Sequence, residues 1–514
     1  MTDKQPIPTL ILPGFYPDPS IVRAKGAYYV VTSSFEYSPG VPIFKSIDMC
    51  RWTQIGYCLT SDCQLNLEKA GTSDGIFAPT LRYHQDKFFM ITSNRCAGIG
   101  NHFFVTAENP QEPWSDPIWI RAMDGSIPPG LDPSLLFDDD GICYFCCVSW
   151  DDDGQGIALA KLDKDTGILI SPLKIVWRGT GGTFPEGPHI YHVFDRYYIM
   201  IAEGGTEYGH KVTIARADDI EGPYESYADN PILTQSRREA QSEQIQGIGH
   251  ADLAEIEDGS WRMAVHCFRT SVCKLHHLGR ETLFLPVEWN IDGWPVVNGM
   301  GWVCSQSING HQSSKNSPII ETDLFHGSID LKWNYLRHRR KECYVLADDG
   351  IGLKGAPETL DSIKRPTWIG RRQQHFDCNV SVCLRYLPLH DNEEAGLCVF
   401  QTNEHHYEIV IAQRAGKKVC FLRKRVGDIL LIDELHLLED GDINLNIKAD
   451  REKYTFHLQT QSDFISLGSG RTQLISTEAM QYQNFTGAYF SLFACGNGKF
   501  AESLAWFDQF EYLF

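Results

Sequence analysis

The sequence predicts an all-β protein, a five-bladed β-propeller followed by a C-terminal β-sandwich of jelly-roll-like form. Three observations predict it. A unit of loop, strand, polar turn and stronger strand returns five times in the first ~300 of 514 residues. The turns inside those units have hairpin chemistry. Helical periodicity is scarce along the whole chain.

The first unit opens on residues 14–20 (GFYPDPS) and runs into YYVVTS at 28–33. IFAPT (76–80) then precedes FFMITS (88–93), and LDPS (131–134) precedes CYFCCVSW (143–150). FPEGPHIY (184–191) leads into YYIMIAEGG (197–205), and GHADL (249–253) into WRMAVH (261–266). With Asp18, Ala78, Asp132, Glu186 and His250 as markers, the steps are 60, 54, 54 and 64 residues, the length of one blade. Lys25-Gly26, Gln85-Asp86-Lys87, Asp138 to Gly141 and Asp258-Gly259 supply the turns.

The run 285–304 reads as closing strands, which places the propeller at 1–304. Residues 305–317 read as a polar linker, and 318–514 change to long alternating strands, the pattern of a sandwich ending in AWFDQFEYLF. The length suits two or three domains.

A formal charge of −20 with no basic run argues against nucleic acid and anionic membrane as partners and suits a neutral ligand. Twelve Trp, 21 Tyr and 27 Phe suit strands and also stacking on sugar rings. The polar start MTDKQPIPTL has no apolar core, so a cytoplasmic location with reduced thiols is expected for the sixteen Cys. Cys143 and Cys146, three apart in a strand, should face opposite ways and hold no zinc; His189 and His192 likewise form no metal pair. GTGGT (179–183) lacks the lysine of a P-loop, and no Ser-centred nucleophile elbow follows a strand. Asn484-Phe485-Thr486 matches a glycosylation sequon, read here as coincidence.

The chemistry lies in the markers. Asp18 sits between Pro17 and Pro19, a clamp expected to hold it extended. An Asp beside Pro is an ordinary turn residue, but Asp18, Asp132 and Glu186 occupy equivalent positions of separate repeats. Loops from five blades about 72° apart would bring the three acids around one axis. If they ring it at about 4 Å, Asp18 would lie roughly 7.6 Å from the other two, a spacing that suits inverting glycosidases, and Asp132 roughly 5 Å from Glu186. Like charges that close raise one pKa, giving a base and an acid without deciding which is which.

GFYPDPS, SSFEYSPGVPIF, LDPS, TFPEGPHIY, AEGGTEYGH, GHADL and HHLGRETLF, in this order and spacing, resemble glycoside hydrolase family 43, the β-xylosidases and α-L-arabinofuranosidases. TWIGRRQQHF and FTGAYF resemble the C-terminal domain of its two-domain exo-enzymes. The resemblance implies Asp18 as general base, Glu186 as general acid, and Asp132 as the group that tunes and orients the acid. It implies Phe35 as an apolar wall of the sugar pocket, with Phe77 where many relatives have Trp. Arg280 resembles the arginine that binds sugar hydroxyls, and Tyr489 a residue of a sandwich loop closing the pocket mouth. His250 resembles an axial histidine that in some members helps hold calcium through water. No cofactor is required on this reading; a structural calcium near His250 and a homo-oligomer both remain open.

The expected activity is inverting exo-hydrolysis of non-reducing-end β-1,4-linked xylose from xylo-oligosaccharides. α-L-Arabinofuranosidase action at the same site is the alternative. A retaining fructosidase-type propeller would want Arg-Asp-Pro where this chain has Leu131-Asp132-Pro133. A non-catalytic sugar-binding propeller is the reading from another class.

Overall fold

The computed structural model describes residues 8–98, 101–309, 318–480 and 484–514. Five antiparallel sheets form the propeller. The first blade runs Ser20–Ala24, Ala27–Val31, Gly40–Ser46 and Thr53–Leu59, and the second Thr80–His84, Lys87–Ser93, His102–Ala107 and Ile118–Trp119. Blades three, four and five start at Leu131–Phe137, Glu186–Val193 and Ile245–Glu255. Each begins at one of the repeats, and each of the four turns expected from sequence lies in the connection of an inner hairpin.

Alternation of side chains along these strands gives every blade two apolar faces, so the core is a ring of seams between blades. Val31 and Ile43 meet Leu81 and Phe103 between the first two blades, and Phe89 and Phe104 meet Leu135 and Phe145 at the next seam. Cys143 and Cys147 belong to that seam while Cys146 faces the following one with Ile190 and Ile199. That is the opposite-face placement the alternation requires, and all sixteen cysteines are free thiols.

Ring closure differs from the sequence reading. The N-terminal strand Thr9–Leu12 pairs antiparallel with Glu281–Trp289 of blade five, in register Thr9↔Phe284. The run 285–304 is therefore the end of that blade's third strand followed by its outer strand Pro295–Val297. Four residues (TLIL) are too short to announce a partner some 270 positions away. The expected linker also begins as structure: Ser305–Asn309 is a helical turn whose Ile308 packs into the seam of blades four and five. Residues 310–317 of that linker lie outside the described residues, as does most of the polar start.

The sandwich stacks an eight-stranded sheet on a nine-stranded one. Strands Cys378–Arg385, Ile443–Ala449 and Leu504–Leu513 of the first face Glu394–Thr402, His405–Arg414 and Tyr489–Cys495 of the second across Val380, Leu445, Leu397, Ile409 and Leu492. The end of the nine-stranded sheet is contributed by the propeller: Tyr37–Ser38 pairs with Trp333–Leu336. Arg372 Nε donates to Phe15 O (2.7 Å) and Arg337 Nε to Ala70 O, so the domains are joined by backbone pairing and buried guanidinium groups. Among the described residues no helix is long and apolar enough to cross a membrane.

Candidate active site

The marker positions converge at one end of the propeller. Asp18, Phe35, Phe77, Ala78, Asp132, Glu186, Thr206, His250, Arg280 and Phe485 line a single small cleft. A larger cavity at the domain junction, around Tyr57, Pro110, Leu331 and Trp333, shares none of these residues.

Irregular backbone aims the side chains inward. The inner strands of blades three, four and five shift register between Leu131 and Ser134, between Glu186 and His189, and between Gly249 and Ala251. Such bulges re-aim a side chain out of the ladder. Asp18, Asp132 and His250 all have positive φ (54°, 49° and 50°), as does Phe35 (48°). The expectation of an extended Asp18 is thereby corrected. A following proline restricts the residue before it, yet here the left-handed turn points the carboxylate at its partners, a strain of about 1–3 kcal/mol per residue that the surroundings must hold.

Asp18 is buried and well bonded. Ser33 Oγ donates to its Oδ2 (2.6 Å) and Arg280 Nη1 to its Oδ1 (2.7 Å), while its own N–H donates to His266 Nδ1 (3.1 Å). Burial pushes this carboxyl up, but the Arg280 guanidinium, with His250, holds it well below the usual carboxylate range. Glu186 has no cation of its own. Burial first, then the charges of Asp132 and Asp18, push it up to about 8. Asp132, whose Oδ2 accepts the Gly187 N–H (3.1 Å), is also raised, by burial and by Asp18. Asp18 is kept ionised, and Glu186 is biased to hold a proton.

Three phenylalanines wall the cleft: Phe35 meets Phe77 edge-on (4.9 Å between centroids) and Phe485 nearly stacked (5.7 Å). Arg280 lies over Phe35 and Phe485 at 5.7 and 5.5 Å and bonds Phe485 O. Phe485 comes from the sandwich and was missed from sequence, where Tyr489 stood for that loop. Tyr489 is instead fully buried behind the wall, stacked on Tyr37 at 4.4 Å, because it already belongs to a sheet strand. The loop just before it makes the crossing. It can lie against the Arg280 loop because a Cβ on Gly487 would meet Leu278 O at 2.3 Å. Asn484 of the sequon is buried and accepts from Ser73 Oγ (3.0 Å), so it is a clasp between domains.

Thr206 and Ala78 complete the lining. His266 and His210 lie beneath it and were also missed; their only signals were the final histidines of WRMAVH and AEGGTEYGH. His250 faces Asp18 (Nδ1 to Oδ1 3.6 Å) beside the His266 ring. Calcium takes oxygen ligands, whereas the neighbours here are imidazoles, with the carboxylate of Asp18 already engaged by Arg280. These residues do not form a calcium cage. Elsewhere, Asp138, Asp139 and His192 bring ligand atoms within 4.8 Å, but His192 Nδ1 and Tyr197 OH already bond Asp138.

Buried, unequally charged carboxylates in a propeller cleft walled by aromatic rings define a hydrolase of glycosidic bonds. Residues 7–295 match the family model for glycosyl hydrolases family 43, and 322–513 that of the β-xylosidase C-terminal concanavalin A-like domain. The chain belongs to glycosyl hydrolase family 43. It is 37% identical to the non-reducing end α-L-arabinofuranosidase BoGH43B of Bacteroides ovatus, over 98% of this chain and 94% of that one. It is 33% identical to a xylosidase/arabinosidase of Butyrivibrio fibrisolvens, over 97% and 98%. The crystal structure of xylan β-1,4-xylosidase from Bacillus halodurans superposes with a TM-score of 0.89 at 30% identity, covering 99% of this chain and 100% of that one.

Proposed function

We propose that this glycoside hydrolase is an inverting exo-enzyme that removes single xylose units from the non-reducing end of β-1,4-xylo-oligosaccharides. What carries the reading is the split among three carboxylates in one small cleft. Asp18, held ionised by Arg280, takes a proton from the attacking water. Glu186, protonated at neutral pH, gives its proton to the departing oxygen. Asp132 bonds the backbone next to Glu186 and adds the negative charge that keeps the acid protonated. Phe35, Phe77 and Phe485 wall the small cleft beside the carboxylates, and Arg280, which also lines it, is the donor for sugar hydroxyls. The sixteen free thiols favour a reducing, cytoplasmic setting and hence imported oligosaccharides as substrate.

A second reading, release of α-L-arabinofuranose at the same site, is favoured by the likeness to BoGH43B. Rates on p-nitrophenyl β-D-xylopyranoside and α-L-arabinofuranoside decide between them: a higher kcat/KM for the xyloside is expected, and a ratio favouring arabinose reverses the choice. Proton NMR of the first anomer released should show inversion; first release of the retained anomer defeats the assignment of Asp18 as base.

A further inference from the structure

We infer that His210 is a positioning residue for Glu186, presenting an N–H to its carboxyl through a tautomer set by the backbone of the Asp18 loop. The inference rests on the reading of Glu186 as proton donor. A peptide N–H can only donate, and that of Asp18 donates to His266 Nδ1 (3.1 Å). That nitrogen then carries a lone pair, and the His266 proton sits on Nε2. His266 Nε2 lies 3.1 Å from His210 Nδ1, so it donates there, and the His210 proton is placed on Nε2 in turn. His210 Nε2 and Glu186 Oε1 are 3.9 Å apart, both buried and both without a hydrogen-bond partner. A small rotation of Glu186 closes that gap.

Two contacts compete. Asp18 Oδ1 also lies 3.1 Å from His266 Nδ1, but Arg280 Nη1 serves that oxygen at 2.7 Å. Gly247 O would accept a proton on His210 Nδ1, but at 3.4 Å it is the longer contact. Both rings are kept neutral, chiefly by burial. The His210 ring is seated against bare backbone: a Cβ on Gly249 would meet it at 2.6 Å.

The consequence concerns the moment of bond cleavage. The electron pair of the glycosidic bond passes to the leaving oxygen, which takes the proton from Glu186 and leaves a carboxylate. A hydrogen bond to a charged acceptor is stronger than one to the neutral acid. The His210 N–H therefore favours the state after proton transfer, and it matters only where the leaving group needs that proton.

A series of aryl and alkyl pentosides tests this, from dinitrophenyl, which departs unaided, to methyl. His210→Phe should lose about ten- to a hundredfold in kcat on the poorest leaving groups and less than about threefold on the dinitrophenyl substrate. His210→Gln, which keeps an N–H donor, should recover most of the loss. An equal loss across the series, or none, overturns the proposal, the former because a structural role alone predicts it. Nitrogen NMR of histidine-labelled enzyme should find His210 protonated on Nε2. A proton on Nδ1 defeats the inference while leaving Glu186 as acid intact, whereas a wild type inactive on every pentoside defeats both.

Discussion

Among the described residues, two clusters of buried carboxylates behave in opposite ways. On the nine-stranded sheet of the sandwich, Arg423 grips both oxygens of Glu408 (2.8 and 2.7 Å) and reaches Glu394 (2.8 Å), which Arg414 also bonds. Against the push of burial, Arg423 pulls Glu408 down to about 2. At the propeller axis three carboxylates share Arg280, which among them bonds Asp18 alone, and Glu186 rises to about 8. Burial is common to both places; the count of cations differs. A matched cluster holds a sheet together, and an unmatched one stores a proton for chemistry.

Mutation should separate the two. Asp18→Asn and Glu186→Gln should each lower kcat on xylo-oligosaccharides by about 10²–10⁴-fold while the protein stays folded. Glu408→Gln should do the reverse, losing about 3 kcal/mol of stability as Arg423 loses its main partner, with kcat/KM within about twofold of wild type. Chemical denaturation and steady-state rates on the same preparations check both. A Glu408 variant that is folded but inactive would break the contrast.

The pH dependence sharpens it. Activity requires Asp18 ionised and Glu186 protonated, so kcat/KM should be bell-shaped with its upper limb near 8 and its lower limb below the usual carboxylate range. Asp132→Asn removes a negative neighbour of Glu186 and should bring the upper limb down by roughly one pH unit. An unmoved limb would mean that burial alone raises the acid.

The smallest effect is on stability. Glu186 is raised from about 4.5 to about 8 in the folded protein, so between those values the unfolded chain has released a proton that the native state keeps. That disfavours the native state increasingly as pH rises through the window. Glu186→Gln should therefore raise the thermal midpoint near pH 7 by roughly 2–4 °C, and the gain should vanish below pH 4. Calorimetry at both values reads it.

Much of this was legible in the chain because a propeller must return to its axis once per blade. Repeats of that spacing put Asp18, Asp132 and Glu186 in one place before any coordinates, and Phe35, Phe77, His250 and Arg280 reach the same cleft. What stayed hidden depended on contacts distant in sequence. Asp18, left-handed in backbone, is bonded by Arg280 and His266, roughly 250 residues away, partners that its flanking prolines do not announce. Phe485 and Tyr489 share one short motif, and only the start of a sheet strand decides which of them crosses to the propeller. Thr9–Leu12 closes the ring with a pairing that four residues do not declare.

The protonation state of Glu186 is the claim on which the contrast stands. A carbon-13 titration of carboxyl-labelled glutamates, wild type minus Glu186→Gln, reads it directly; the signal of Glu36, a buried carboxyl pushed up to about 7, cancels in the difference. The residual carboxyl should stay protonated at pH 7 and titrate near 8. Titration near 4.5 would show an ordinary carboxylate in the cleft and contradict the account.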